Sequence, residues 1–422
     1  MTDLPVLKIE DQRLAQQIAF VMEMDKLKAV ERMTKITCLD RFENDAEHSW
    51  HVAIMALVFE KYAAADVNIE RVVKMLLIHD VVEIDAGDTY IYGDSDPQEQ
   101  FEKELAAAKR IFGLLPTEQA DELLALWQEF EARESADAKF AKAIDRLSPF
   151  IYYGFTSDGR WVEQGVNDQM VREQMACVAE ASPILGQLVE LLIETYKAFG
   201  TLRDVKSPDV APVLRTDELT AHMHQLVFVD PELSQNIHFI MEMDKLKTII
   251  RQTQLVSVDR LENDAEHSWN LAVMAVVLQE YANTQIDLLR VLKMLIVHDV
   301  VEIDAGDAPL HDPAAQVGKE EKEIAAAVRL FGMVPEPIGP ELHSLWQEFE
   351  AHETGDAQFG RSMDRLSPLL YNFYTKGERW SKFGVTGEIV KNRLVVIDDG
   401  ATKLWNLAES VIEQAVENGF IK

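Results

Sequence analysis

The sequence predicts an all-α protein built as two tandem helical bundles, and three observations predict it. The first is an internal repeat: "MEMDKLK" begins at 22 and 241, "ENDAEHSW" at 43 and 262, "LWQEFEA" at 126 and 345, and "DRLSP" at 145 and 364. The offset, 219 from Met22 to Met241, holds without a gap to Trp161 and its partner Trp380. A constant offset over that length marks a duplicated domain, not a solenoid of short units. The second is helical spacing of apolar residues in nearly every long segment. The third is that no segment alternates convincingly as a strand. Residues 1–205 are read as the first bundle, 206–219 as a linker containing Pro208 and Pro212, and 220–422 as the second bundle.

Each element follows from local pattern. "AEHSWHVAIMALVFEKYA" places Val52, Met55, Ala56 and Phe59 on one helical stripe. Asn44 and Glu47 suit a capping box at its start, with Asp45 as the other candidate cap. "IERVVKMLLIHDVVEID" reads as one continuous helix, stopped by Gly87. "QFEKELAAAKRIFGLL" and "ADELLALWQEFEAR" follow as amphipathic helices, and "AKFAKAIDRLSPF" as another closed by Pro149. The segment "MVREQMACVAEASPILGQLVELLIETYKAF" reads as two helices broken at Ser182-Pro183. Each copy is then a bundle of about six helices.

Charge excludes several functions. The 422 residues carry a formal charge of −32 and a pI near 4.7, which disfavours nucleic acid and anionic membrane surfaces as partners. A small anionic substrate stays open, because a metal or an arginine reverses the field locally. No signal peptide and no membrane span is expected: the N-terminus lacks a basic and apolar leader, and runs such as "VAIMALVF" are short. Cys38 and Cys177, outside any CxxC, fit a reducing cytoplasm.

The stretches "IHDVVEIDAGD" at 78–88 and "VHDVVEIDAGD" at 297–307 concentrate ionisable groups at the end of an apolar helix. His79 shares a face with Val72, Met75 and Leu76, and Asp80 follows it. His48 and Asp145 also lie on apolar stripes. A buried carboxylate needs a partner or a cation. His48, His79, Asp80 and Asp145 recur as His267, His298, Asp299 and Asp364, whereas His51 becomes Asn270 and reads as a surface or structural histidine. Two mixed N/O sets of this kind suit one divalent cation per copy: Mn, Co, Fe, Ni, Zn or Mg. Trp127 and Trp346 read as core aromatics rather than base-stacking platforms, and "EEKE" at 320–323 as a solvated helix face.

The order and spacing of "LK…R", "RFENDAEHSW", "KMLLIHDVVEIDAGD", "LWQEFEA" and "DRLSPF" resemble the HD-domain phosphohydrolases. Within them they are similar to the branch containing bacterial 5'-deoxynucleotidases. The resemblance implies that the two histidine–aspartate sets are the metal ligands. It implies that Glu83 and Glu302 assist the attacking water, and that Asp88 and Asp307 meet the sugar or leaving group. It also implies that an arginine on a preceding helix, matched by Arg32 and Arg251, contacts the phosphate. A tryptophan stands beside that arginine in the deoxynucleotidases and helps exclude ribose; Met33 and Gln252 stand there here. Helical spacing independently places Glu83 four residues beyond His79.

The expected activity is release of phosphate from nucleoside 5'-monophosphates, with deoxyribonucleotides favoured. The alternatives are a phosphodiesterase or pyrophosphohydrolase, and a nucleotide sensor with one decayed site. A di-iron oxygenase would need more histidines than His48, His51 and His79 in the first copy. The loops after the two "GD" pairs, "TYIYGDSDP" and "APLHDPAAQ", differ, so the two sites are expected to differ in substrate or rate. The copies are expected to form an intramolecular pseudo-dimer, with further self-association open.

Overall fold

In the computed structural model, residues 4–93, 96–156, 159–206, 214–226, 228, 230–307 and 318–422 are described. The second post-"GD" loop and half of the linker, residues 207–213, lie outside them. The first copy comprises α1 (Gln12–Met24), β1 (Glu31–Lys35), β2 (Phe42–Asn44), α2 (Asp45–Phe59), α3 (Ile69–Ile78), α4 (Glu83–Ala86), α5 (Pro97–Phe112), α6 (Thr117–Ala132), α7 (Ala136–Thr156), α8 (Arg160–Glu163), α9 (Asp168–Ala181) and α10 (Pro183–Ala198). After α11 (Thr216–Met223) the second copy repeats the plan. It has α12 (Pro231–Met243), β3 (Ile250–Gln254), β4 (Leu261–Asn263), α13 (Asp264–Leu278), α14 (Leu288–Val297), α15 (Glu302–Ala305), α16 (Lys319–Phe331), α17 (Ile338–Ala351) and α18 (Gly355–Tyr374). It ends with α19 (Glu378–Phe383), α20 (Gly387–Leu394), α21 (Ile397–Gly400) and α22 (Thr402–Glu417). No helix among the described residues is long and apolar enough to cross a membrane.

Asn44 is the cap of α2. Its side chain accepts from the Glu47 N–H at 3.0 Å, and Glu47 accepts in return from the Asn44 N–H at 2.9 Å. All residues of α2 are buried, not only the predicted stripe. A helix buried on every side needs a partner on every side. α3 and α7 cover one side of α2, and α13, with α12 and α14, of the other copy covers another. The contact is isologous: Trp50 Nε1 donates to Ile296 O and Trp269 Nε1 donates to Leu77 O, each at 2.9 Å.

Four expectations change. The helix expected to run unbroken from Ile69 to Asp85 stops at Ile78 and restarts at Glu83. Side chains take carbonyls at the break: His79 Nδ1 donates to Leu76 O, Trp269 to Leu77 O, and Trp127 to His79 O. Pro149 does not close α7, which continues to Thr156. The ring removes one helical rung, but Phe150, Ile151 and Phe155 beyond it are buried, and packing outweighs that loss. The expected linker ends early, because α11 starts at Thr216 and buries Leu219 and Met223 against α7. Finally, each copy contains a two-stranded antiparallel ribbon, Glu31 paired with Asn44 and Lys35 with Phe42 in the first. Its strands are too short for alternation to be legible.

Candidate metal centres

The break after α3 turns His79 and Asp80 out of the helical ladder and towards α2 and α7. His79 Nδ1 lies 2.8 Å from Leu76 O, so it must carry the proton, because a carbonyl only accepts. Nε2 then faces Asp80 Oδ2 at 3.2 Å and Asp145 Oδ1 at 3.6 Å without a well-formed hydrogen bond. His48 Nε2 reaches the same Asp145 Oδ1 at 3.1 Å. Donor atoms of His48, His79 and Asp80 lie within 4.8 Å of one another, as do those of His267, His298 and Asp299. Asp364 joins the second set, with Oδ1 3.1 Å from His267 Nε2. All eight predicted ligand residues are thus brought together as two sets of four.

The donor chemistry fits a divalent cation. Each set offers two imidazoles and two carboxylates, with two buried imidazole nitrogens lacking a hydrogen-bond partner among the described residues; one of them, on His79 or His298, faces the carboxylates of the set. The field has the right sign. Burial opposes a charge on His79, but Asp80 and Asp145 outweigh it and raise its pKa to about 10. A field that favours a proton on His79 also favours a cation in its place. Asp145 is held well below the usual carboxylate range by Lys142, His48 and His79, despite its burial.

Arg32 lies on strand β1, not on a helix as expected. Its guanidinium contacts Asp80 and sits 2.8 Å from Asp45, 3.7 Å from Glu43 and 3.9 Å from Asp88. Arg251 repeats this on β3, 2.8 Å from Asp264, 2.6 Å from Asp299 and 3.7 Å from Glu262. Gly87 and Gly306 have φ of +78° and +77°, and they turn the chain so that Asp88 and Asp307 enter the clefts. Burial raises both aspartates above the usual range.

Glu83 borders the first cleft, and its Oε2 has no hydrogen-bond partner among the described residues. Burial, then Asp80, Asp45 and Glu104, push its pKa up to about 10. Glu302 reaches only about 8, because Lys319 Nζ stands 3.0 Å from its carboxylate. The matching position in the first copy is Gln100. Within the "EEKE" run, Glu323 turns inward to pair with Lys319 at 3.1 Å, whereas Glu320 and Glu321 stay exposed.

The first set opens into a cleft of about 480 Å³, and the second into one of about 580 Å³. Trp127 is buried as expected, and its ring stacks on Phe101 where both reach the first cleft. His51 is structural rather than superficial, fully buried with Nδ1 3.1 Å from the Tyr152 hydroxyl. Asp85, without a role from sequence, pairs with Arg110.

Sequence reading missed Glu43, Asp45, Lys142 and Arg146, which lines the first cleft, and the signal was available. Glu43, Asp45 and Arg146 recur as Glu262, Asp264 and Arg365, and Lys142 recurs as the basic Arg361.

An all-α bundle whose HD pair meets a second histidine and a distant aspartate defines the HD-domain class. The HD-domain family matches residues 24–183 and 243–405, and the chain belongs to that family. Among named relatives, the human 5'-deoxynucleotidase HDDC2 is 32% identical over 135 residues, 32% of this chain and 65% of its own length. The bovine counterpart is 30% identical over 148 residues, 35% of this chain and 71% of its own. The 5'-deoxynucleotidase hdd1 of Schizosaccharomyces pombe is 24% identical over 169 residues, 38% of this chain and 84% of its own. The match therefore spans just under two thirds of the human relative. A crystal structure of a predicted metal-dependent phosphohydrolase from Magnetospirillum magnetotacticum MS-1 is 47% identical. It aligns with 46% of this chain and 99% of its own, at a TM-score of 0.43.

Proposed function

We propose that each copy is a metal-dependent phosphohydrolase that releases phosphate from nucleoside 5'-monophosphates, with deoxyribonucleotides preferred. The observation that carries this is the convergence of two imidazoles and two carboxylates beneath a cleft that also presents an arginine and a glutamate with a free oxygen. The deoxynucleotidase names of the relatives support the substrate class.

His48, His79, Asp80 and Asp145 would hold the cation of the first copy, and His267, His298, Asp299 and Asp364 that of the second. A divalent cation supplies charge neutralisation at phosphorus and makes a water nucleophilic near neutral pH. The remaining work belongs to the chain. Arg32 and Arg251 orient the phosphate through paired N–H donors. Their own carboxylate neighbours hold the guanidinium planes in place before substrate arrives. Glu83 and Glu302 orient the attacking water and take its proton. Asp88 and Asp307 face the leaving nucleoside. Proton transfer of this kind contributes about 10²–10⁴-fold, so Glu83→Gln and Glu302→Gln should each remove that factor from their own copy.

The test is a phosphate-release screen over ribo- and deoxyribonucleoside monophosphates with Mn, Co and Mg. Release from deoxy forms above ribo forms is expected. Equal rates on both sugars would reject the sugar preference. No release from any of them by metal-loaded protein would reject the activity.

A further inference from the structure

Beside each candidate metal centre, one glutamate removed from a candidate ligand histidine, lies a lysine that belongs to the other copy. Lys247 lies in a short 3₁₀ turn of the second copy, Asp244–Thr248, and its side chain is fully buried. It crosses into the first copy, where Nζ stands 2.9 Å from Glu43 Oε2 and 2.8 Å from the Tyr152 hydroxyl. The other oxygen of Glu43 faces His48 Nδ1 at 3.4 Å and Arg32 Nε at 3.7 Å. His48 Nε2 is the atom that turns to Asp145 in the candidate ligand set. The arrangement repeats in the opposite direction. Lys28 of the first copy stands 2.8 Å from Glu262 and 2.6 Å from Tyr371, and Glu262 faces His267 Nδ1 at 3.4 Å.

Every member of these chains has its charged atoms out of water. Glu43, Glu262, His48 and His267 are all 0% exposed. A glutamate buried this deeply is expensive unless a cation answers it. Of the cationic groups facing Glu43, Lys247 Nζ stands nearest, at 2.9 Å. A carboxylate at Glu43 can only accept, and at 3.4 Å, without a well-formed hydrogen bond, its charge favours the proton of His48 on Nδ1 and leaves the Nε2 lone pair for a cation. A second contact crosses in the same sense: Trp269 of the second copy takes the carbonyl of Leu77, two residues before His79.

We propose that Lys247 is a positioning residue for the metal centre of the first copy and Lys28 for that of the second, so that each centre is completed by the other copy. The inference rests on the reading that the two histidine–aspartate sets bind metal. It goes beyond that reading by assigning the charge that orients one ligand in each set to a residue outside the copy that carries the set.

The test counts one centre at a time. In a His298→Ala/Asp299→Ala parent only the first set remains, and cobalt(II) is titrated against it by visible absorption. Lys247→Met should weaken cobalt binding by about 10–100-fold, the usual cost of losing an outer partner of a metal ligand. Lys28→Met in the same parent should leave it unchanged. In a His79→Ala/Asp80→Ala parent the two lysines should exchange roles. Because the lysines occupy equivalent places in one interface, each serves as the folding control for the other. If the lysine variants lose their helical signal, Glu43→Gln in the first parent should show the same loss of affinity with the helices intact. A parent that takes up no cobalt overturns the metal reading and this inference together. A parent that binds cobalt, with both lysine variants or Glu43→Gln indifferent, overturns the inference alone. Equal weakening by both lysines at whichever centre remains also overturns it, since that is what a purely structural ion pair would do.

Discussion

Glu83 and Glu302 occupy equivalent positions, yet their surroundings hold protons differently. Glu83 is pushed up to about 10 by burial and by carboxylate neighbours. Glu302 is pushed up to about 8, because Lys319 answers part of the same negative field. A carboxylate acting as base works only when ionised, so phosphate release should rise with pH through its pKa. A bound cation lowers both values, and the observable is therefore the order of the two copies. The second copy should reach its plateau at lower pH than the first. Lys319→Gln, made in a Glu83→Gln background, removes a cation and so must raise the proton affinity of Glu302. The ascending limb of the pH–rate profile should move to higher pH, and a limb that stays in place would contradict the assignment. The candidate ligand residues were legible in the sequence because duplication filtered them: His79 survives at position 298, whereas His51 becomes Asn270. Lys319 was hidden inside "KEEKE", where a solvated charged face and one inward lysine look alike.

Elements explain how the site residues come to face one another. The helix carrying His79 was legible, but its end was not. Periodicity runs smoothly through "LLIHDVVEID", and the break arises from side chains that seize the carbonyls of Leu76, Leu77 and His79. Two of those donors are distant in sequence, and one belongs to the other copy. The stop at Gly87 was legible, because a positive φ with extended ψ is accessible essentially to glycine alone. A Cβ at Gly87 would meet nothing within 4 Å, so Gly87→Ala isolates backbone strain from steric clash. It should cost about 1–3 kcal/mol of stability, read by denaturant unfolding. Relief of that strain would swing Asp88 out of the cleft, so activity of the first copy should fall while that of the second is kept. An unchanged stability would mean that the turn tolerates a side chain. The β1–β2 ribbon escaped the sequence for the opposite reason: its information lies in pairing, not in pattern. It nevertheless sets Arg32 beside Asp45 at the start of α2.

At the scale of the whole molecule the duplication was legible, and its reason becomes physical in the interface. α2 and α13 are buried on every side, so neither copy can cover its central helix alone. The residues that cross between copies are nearly the same in both directions. Lys28 and Lys247, Glu43 and Glu262, Asn44 and Asn263, Glu47 and Glu266, and Trp50 and Trp269 are identical pairs. Asn44 donates to Glu266 and Asn263 to Glu47, each at 2.7 Å. A surface that complements a near-copy of itself complements itself. The first copy expressed alone, as residues 1–206, should therefore form a symmetric dimer rather than a monomer, with Lys28 of each chain reaching Glu43 of the other. One contact would have to re-form. In place of Asp244, which accepts from the Tyr152 hydroxyl and from Thr37, the dimer would use its identical counterpart Asp25, which in the full chain accepts from the backbone of Val256 and Ser257. The carboxylate is retained, so the contact can re-form with Thr37. Sedimentation should give twice the chain mass at micromolar concentration, and Trp50→Ala should shift it towards monomer and expose α2. A well-folded monomer that stays monomeric on concentration would show that the copies fold independently, and that their contact in the full chain is a consequence of tethering.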